Sequence, residues 1–366
     1  MTYSPEMLRR WPDLEAPGLL ASDAADRLIL DESATARAGA DGGGLVVIGD
    51  DYGALTLGAA AAGARGIRVH QDAVTGEQAL AANADRAELA DSYTSLPLDS
   101  VLVQGARVVL LRLPRSLDAL RDIAGLVAAH AASDVVVFAG GRIKHMTVAM
   151  NDVLREHFAT VDVTHARQKS RVLVARGPYD GREPEPRRAS HDGLEVRAFG
   201  GVFAGTSIDI GTRLLLESLP EVTDAAIDLA CGSGVVAATL ARRNPHVRVY
   251  ATDQSAAAVA SARATALANE VEDRVTVVRD DLLSSVPDGA ASFIALNPPF
   301  HTGAAVTEDL APRFFRDAAR VLRPGGELWA VWNSGLGYRP ALERIVGPTR
   351  QVARNAKFTV TVSTRR

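Results

Sequence analysis

Asn297-Pro-Pro-Phe-His301 is the stretch of this 366-residue chain whose residue types point most directly to a reaction. An exocyclic amine on an aromatic ring is a poor nucleophile, because its lone pair is delocalised into the ring. A side-chain amide oxygen (Asn297) and a backbone carbonyl (Pro298) can accept the amine's two hydrogens and hold its lone pair toward a methyl donor. Pro298 and Pro299 restrict the backbone so that these acceptors stay aimed, and Phe300 offers a stacking face for a planar base. Catalysis of this kind rests on proximity and orientation. The plainer reading, a proline-rich turn with Phe300 in the core, gives no reason for an asparagine before the prolines. His301 is more often a loop or supporting residue, and it takes no role here.

A second stretch, Asp228-Leu-Ala-Cys-Gly-Ser-Gly234, could hold the donor. An apolar run (225–230) precedes it and a helical pattern (235–243) follows. Strand, glycine turn and helix in that order let a backbone pass close to a ligand, which makes Asp228, Gly232 and Gly234 candidate cofactor residues. Alone, they are also consistent with a tight turn that binds nothing. Asp253 follows Gly234 by 19 residues, the spacing of an acid that accepts hydrogen bonds from ribose hydroxyls. A nicotinamide dehydrogenase would share that feature, and a helix N-cap is the plainer reading of Asp253. Asp280-Asp281 follows the next strand, and Asp281 is the expected acceptor for an adenine amino group; a solvated acidic turn is the alternative. No metal site is expected, since the histidines are scattered and none pairs with Cys231 at ligand spacing. Ser233 lacks the Gly-x-Ser-x-Gly frame of a hydrolase nucleophile.

Both stretches follow strands, so in an open α/β sheet both emerge at the carboxyl edge where such sheets bind ligands. The pattern predicts strands at 45–50, 67–70, 107–113 and 134–138, with helices at 76–90 and 116–132. Alternation of this kind implies a parallel sheet covered on both faces. Runs at 160–164 and 170–175 would close it as a hairpin-like pair, and the Pro/Gly-rich, charged segment 177–186 reads as a linker. The plan then repeats, with strands at 225–230, 247–252, 274–278, 291–296 and 327–331 and a final pair at 349–353 and 358–362. A repeat of this length indicates duplication of a whole domain. The copies differ where chemistry would sit. Asp51-Tyr52-Gly53 stands against Gly232-Ser233-Gly234, and Leu113 stands against Asn297. The first copy is therefore expected to have lost catalysis.

Apolar residues make up 47% of the chain and charged ones 23%, as in a packed globular protein. A net charge of −4 argues against coating nucleic acid by bulk charge, so any RNA contact must come from local basic patches. A lone cysteine suits a reducing cytoplasm, and neither a signal peptide nor a membrane span is read in the sequence.

The second half resembles the ribosomal RNA guanine-N2 methyltransferases, which carry a tandem pair of methyltransferase-like domains and use S-adenosylmethionine. The matching stretches are 201–212 (Gly-Val-Phe-Ala-Gly-Thr-Ser-Ile-Asp-Ile-Gly-Thr), the glycine motif, Asn297-Pro-Pro-Phe-His301, Gly325-Gly-Glu-Leu328 and Ala353-Arg-Asn-Ala-Lys-Phe358. The first half joins through 23–26, 113–115, 139–145 and 168–171. The resemblance implies two tandem Rossmann-like class I methyltransferase domains. The first (1–180), degenerate, would serve RNA recognition or stability, and the second (186–366) would be catalytic. It also implies that Phe203, Asp209, Gly211 and Thr212 border the cofactor pocket. The expected partner is ribosomal RNA or a ribosomal subunit, and the protein is expected to be monomeric. Arg142 and Lys144, with Arg167, Lys169 and Arg171, alternate in strand-like stretches that would each present charge on one face to RNA. Methylation of another planar amine, adenine N6 or a protein glutamine, stays open, as does a non-catalytic RNA-binding or assembly protein.

Overall fold

The structure, a computed structural model, describes residues 3–39, 42–299 and 304–366; Phe300 and His301 lie outside the described residues. The chain divides into two compact units, Met1–Glu185 and Pro186–Arg366.

In the first unit α1 (Ala24–Glu32) and α2 (Ala34–Ala38) lead into β1 (Leu45–Ile48), α3 (Ala54–Ala61) and β2 (Ile67–His70). Next come α4 (Val74–Arg86), β3 (Tyr93–Ser95), α5 (Ser100–Val103), β4 (Val108–Arg112) and α6 (Leu117–His130). The unit ends with β5 (Val136–Arg142), α7 (Val148–Arg155), β6 (Phe158–Val163) and β7 (Ser170–Pro178). Its strands lie in the order β3-β2-β1-β4-β5-β7-β6, with β7 antiparallel to both neighbours.

The second unit opens with an antiparallel hairpin of β8 (Arg187–His191) and β9 (Leu194–Ala198), then α8 (Ile210–Ser218). It continues through β10 (Ala225–Leu229), α9 (Val235–Arg243), β11 (Arg248–Asp253), α10 (Ala256–Ala268), β12 (Val275–Arg279) and β13 (Ala291–Leu296). It finishes with α11 (Ala304–Val321), β14 (Leu322–Asn333), α12 (Arg339–Ile345), β15 (Thr349–Arg354) and β16 (Phe358–Thr364). The order β12-β11-β10-β13-β14-β16-β15, with β16 antiparallel, reproduces the first unit strand for strand. Both are doubly wound, Rossmann-like sheets, as the repeat predicts.

Central strands read as unbroken apolar runs because each face is covered by helices. In β14, Trp329 and Val331 join one buried cluster, while Leu328, Ala330 and Trp332 join the other. In β4, Val109 and Leu111 face one side and Val108 and Leu110 the other.

Three expectations need correction. β3 is absent from the pattern because three residues are too short for a period to register. The β8–β9 hairpin starts directly after the expected linker, and β7 runs into that linker as far as Pro178. Its turn is Asp192-Gly193, both with positive φ (+49° and +79°), an Asp-Gly signal for a two-residue hairpin loop that was legible in the sequence. Finally, the basic residues do not alternate along strands. Arg142 closes β5, but Ile143–His145 is a 3-10 turn, and Gln168 and Lys169 turn through left-handed backbone (φ +48° and +60°) before β7 begins. Antiparallel register assembles the cluster instead. Gly141 opposes Arg171, Arg142 opposes Ser170, and the Ile143 N–H donates to the Lys169 carbonyl at 3.0 Å.

Candidate active site

Four neighbouring strands of the second unit, in the order β12-β11-β10-β13, end at one edge with the candidate residues. Asp281 follows β12, Asp253 ends β11, Gly232 follows β10 and Asn297 follows β13. Three strand spacings span about 14 Å, room for a nucleoside with an extended tail.

The glycine turn is held from within. Asp228, only 3% exposed, accepts the Ala237 N–H at 2.9 Å and so ties β10 to the first turn of α9. Burial pushes its carboxyl up to about 7, against the pull of that N–H and with a further upward push from Asp253. Burial likewise raises the Cys231 thiol. The two glycines do different work. A Cβ on Gly234 (φ +78°) would stand 2.8 Å from the Ala262 Cα, so this glycine lets α10 pack against the turn. A Cβ on Gly232 (φ +54°) would meet nothing within 4 Å, so this one faces open space.

Asp253 is fixed by its neighbours. Its Oδ2 accepts the Gly232 N–H and its Oδ1 the Ser255 N–H, each at 3.0 Å. The N-cap of α10 is Ser255, whose Oγ accepts the Ala258 N–H, so capping does not account for Asp253. The acidic pair after β12 also separates. Asp280 is buried and accepts from the Ser285 N–H (2.9 Å), the Ser285 hydroxyl (2.7 Å) and the Ser284 hydroxyl. Asp281 is half-buried, 3.4 Å from the Arg313 guanidinium.

Asn297 is half-buried, between buried Leu296 and buried Pro298, with Pro299 exposed. Its Nδ2 donates to the Thr212 Oγ1 at 2.9 Å and to the Asp209 Oδ2 at 3.1 Å. Asp209 is the N-cap of α8, accepting the Gly211 and Thr212 N–H groups at 3.0 Å. Gly211 lies against the Phe358 ring, which a Cβ there would meet at 3.0 Å. The Asn355 side chain, accepting the Lys357 and Phe358 N–H groups, shapes the turn that carries Phe358. Sequence reasoning missed this contact, although 353–358 belongs to the stretches that carry the resemblance. Phe203 is half-exposed (53%) on the loop between β9 and α8.

The first unit shows the same frame with other contents. Asp51 holds φ +51°, close to the +54° of Gly232, so the turn persists while a side chain occupies it. Gln71 stands where register places Asp253, and its Nε2 donates to the Asp51 carbonyl at 3.1 Å. The N-terminal segment crosses this turn. The Arg9 N–H donates to the Asn83 Oδ1, the Asn83 Nδ2 donates to the Tyr52 carbonyl, and the Arg10 guanidinium lies 4.5 Å over the Tyr52 ring. Asp50, fully buried with its carboxyl raised to about 7 by desolvation, accepts the Leu55 and Thr56 N–H groups and does for α3 what Asp228 does for α9. Register corrects one equivalence: Ile48 pairs with Leu111 as Leu229 pairs with Leu296, so Arg112, not Leu113, stands where Asn297 does, and it pairs with Asp23 (2.9 Å) and Asp26 (2.6 Å).

In the basic corner of the first unit Lys144 and Lys169 are exposed, and Arg142 and Arg171 are half-buried. His145 reports the crowding of charge: partial desolvation first, then Arg115, Lys144 and Arg142, hold its imidazole below the usual range. Arg167 leaves the cluster, paired with Asp31 of α1.

Residues 193–362 match the family described as "Methyltransferase small domain" and residues 2–178 the "RLMG N-terminal domain". The chain is 34% identical to the ribosomal RNA large subunit methyltransferase G of Shewanella amazonensis, over 96% of this chain and 94% of the relative. It is also 34% identical to the Streptomyces avermitilis protein of that name, over 96% and 95%. Among solved structures, the T. thermophilus 16S rRNA N2 methyltransferase RsmC, in complex with AdoMet and guanosine, shares the fold with a TM-score of 0.73. That likeness covers 96% of this chain and 97% of the other at 22% identity. A glycine turn beside Asn297-Pro-Pro on a duplicated sheet, together with whole-chain identity of this order, places the chain in the ribosomal RNA large subunit methyltransferase G family.

Proposed function

We propose that this chain transfers a methyl group from S-adenosylmethionine to the exocyclic N2 amine of a guanine in large-subunit ribosomal RNA. Residues 186–366 perform the chemistry, and residues 1–180 serve RNA recognition and stability. The observation that carries this reading is Asn297 at the end of β13, one strand from an open glycine turn at the end of β10. An acceptor for an amine thus stands beside a cradle for a cofactor. Identity over the whole chain to large-subunit enzymes favours that subunit. The N2 position is favoured by the fold shared with an N2 methyltransferase, together with an acceptor pair suited to a planar amine.

S-adenosylmethionine, when bound, supplies a methyl group on a positively charged sulfur. The residues at the strand ends fit it: Asp281 for the adenine amine, Asp253 for the ribose hydroxyls and Gly232 as the open floor under the tail. Phe203, Asp209, Gly211 and Thr212 border the same region, and Asp228 and Gly234 hold the turn. Asn297 Oδ1 and the Pro298 carbonyl accept the two amine hydrogens, with Phe300 as the stacking face for the base. As the nitrogen commits its lone pair, its N–H bonds become more acidic and both hydrogen bonds strengthen, so these acceptors stabilise the transition state more than the ground state. The proton released afterwards goes to water. RNA is held at the corner formed by Arg142, Lys144, Lys169 and Arg171, and covalent linkage to that corner raises its effective concentration for the second unit.

Incubation with labelled cofactor and large-subunit RNA, followed by mapping of the modified base, tests the assignment; label on adenine, on protein or nowhere would overturn it. Asn297→Ala should lower kcat by about 100-fold or more while cofactor affinity stays within a factor of two. Asp253→Ala should instead weaken the cofactor by about tenfold or more, as loss of a charged hydrogen-bond partner does. If the two variants behave alike in calorimetry and single-turnover kinetics, the roles of amine acceptor and ribose acceptor are misassigned.

A further inference from the structure

An asparagine side chain can turn over end for end, exchanging an acceptor for a donor at the same place. Only one orientation of Asn297 can accept a hydrogen from an amine. The other would present NH2 to NH2 and repel the substrate. Something in the protein must therefore choose.

The surroundings of Asn297 contain that choice. A carboxylate oxygen only accepts, so the Asn297 atom 3.1 Å from Asp209 Oδ2 must be the nitrogen. The Thr212 hydroxyl donates its one hydrogen to the same Asp209 oxygen at 2.9 Å, which leaves its lone pairs to accept from Asn297 Nδ2 at 2.9 Å. The NH2 end of the amide is thereby committed inward, its two acceptors lying side by side, and Oδ1 is left for the opposite side. The triangle is rigid because Asp209 also caps α8, accepting the Gly211 and Thr212 N–H groups. The helix terminus can come this close because residue 211 has no side chain between it and Phe358.

We infer that Asp209 and Thr212 are positioning residues for the methyl acceptor: they lock the Asn297 amide with Oδ1 toward the substrate amine. Donation from Nδ2 to these partners also polarises the amide and makes Oδ1 a better acceptor as the amine gains positive charge. In the first unit the residue that meets the corresponding cap, Asp23, is an arginine, Arg112, which has no acceptor to aim. The inference rests on the proposed methylation and adds to it a polarity requirement.

That requirement can be tested by exchange. Asp209→Asn has one acceptor oxygen where the carboxylate has two, so it can hold Asn297 only by setting its NH2 against the Gly211 N–H. It should cut kcat on large-subunit RNA by about tenfold or more, read at saturating cofactor because Asp209 also borders the cofactor region. Asn297→Asp alone sets two carboxylates against each other and should lose a similar amount. The double variant Asp209→Asn with Asn297→Asp restores one donor facing one acceptor and leaves a free oxygen for the amine. It should recover at least about tenfold over either single variant. Thr212→Val, nearly equal in volume, should lose about tenfold in kcat, and Thr212→Ser should regain most of it. A double variant no more active than the singles, with folding intact by circular dichroism, would overturn the inference. So would a fully active Thr212→Val. Exchange of the Asn297 side-chain amide hydrogens in the full chain, followed by NMR, decides the matter independently of activity. Slow exchange in the wild type and at least tenfold faster exchange in Thr212→Val supports the lock, and equal rates sink it. A wild-type protein that left large-subunit RNA unmethylated would remove the proposed function while this exchange measurement still judged the lock.

Discussion

Two buried aspartates do one job from different places in the sequence. Asp228 comes from the strand and Asp50 from the turn, yet each ties down the start of the helix that follows the glycine turn, Asp228 through one N–H and Asp50 through two. Both carboxyls are raised to about 7 by burial. The folded state therefore holds each proton more tightly than the unfolded chain, where the carboxyl titrates near 3.8. Native stability from this source is complete below that value and is lost as pH rises toward about 7. Asp228→Asn removes the titration but keeps an acceptor for the Ala237 N–H. Its stability relative to the wild type should improve steadily from pH 4 to pH 7, by roughly 1.4 kcal/mol for each step of one in pH, and then level off. Urea unfolding at a series of pH values checks this, and a stability difference independent of pH would refute it.

At the scale of elements, the β8–β9 hairpin shows how an edge strand is closed without another strand. The N–H groups of Glu195, Arg197 and Phe199 donate to Asn269, Thr265 and Ser261 at 3.0, 3.0 and 2.9 Å. Those three side chains are spaced four apart along and just beyond α10, so a polar stripe on an alanine-rich helix satisfies the edge. Asn269 also donates to the Glu195 carbonyl at 2.6 Å. Asn269→Ala should cost about 1–3 kcal/mol and expose the Glu195 amide to exchange with solvent, while the Phe199 amide keeps its Ser261 partner. Hydrogen exchange reads this directly; an unchanged Glu195 amide would mean that the hairpin is anchored elsewhere. The stripe is readable in the sequence as Ser261, Thr265 and Asn269, but its partner strand is not, because β9 lies about 70 residues away.

At the scale of the molecule, one fold has been used twice with different residues at the same turn. The second copy keeps open space at Gly232, whereas the first carries Asp51 at the equivalent position and lays its own N-terminal segment across the turn. What the first copy offers is a corner of like charge in a chain whose net charge is −4. Like charges held close together repel, and a polyanion relieves that repulsion, which is why RNA is the partner we propose there. Lys144→Ala with Lys169→Ala should weaken RNA binding and reduce its salt dependence by about one unit of slope per phosphate contact removed, with cofactor binding untouched. Filter binding over a range of salt measures it. An unchanged slope would move the RNA surface to Arg350, Arg354 and Lys357.

The sequence by itself determined whatever depends on near neighbours along the chain. Periodicity located the long strands and helices, and the repeat of that pattern announced the duplication. Asn297-Pro-Pro-Phe300 and the glycine turn carry their chemistry in a few consecutive residues, so the amine-methylating reading and the cofactor were legible. Tertiary structure decided everything that depends on who meets whom. Asp280 and Asp281 are adjacent and chemically identical, and only packing shows that one is spent on Ser284 and Ser285 while the other, half-buried, pairs with Arg313. The basic corner was foreseen from alternation along strands but is built by antiparallel register. Asp209, 88 residues before Asn297 and expected at the border of the cofactor pocket, also accepts a hydrogen bond from the asparagine, a contact the sequence does not announce. A hydrogen-bond partner is chosen by distance in space, and distance in space between remote residues exists only once the chain has folded.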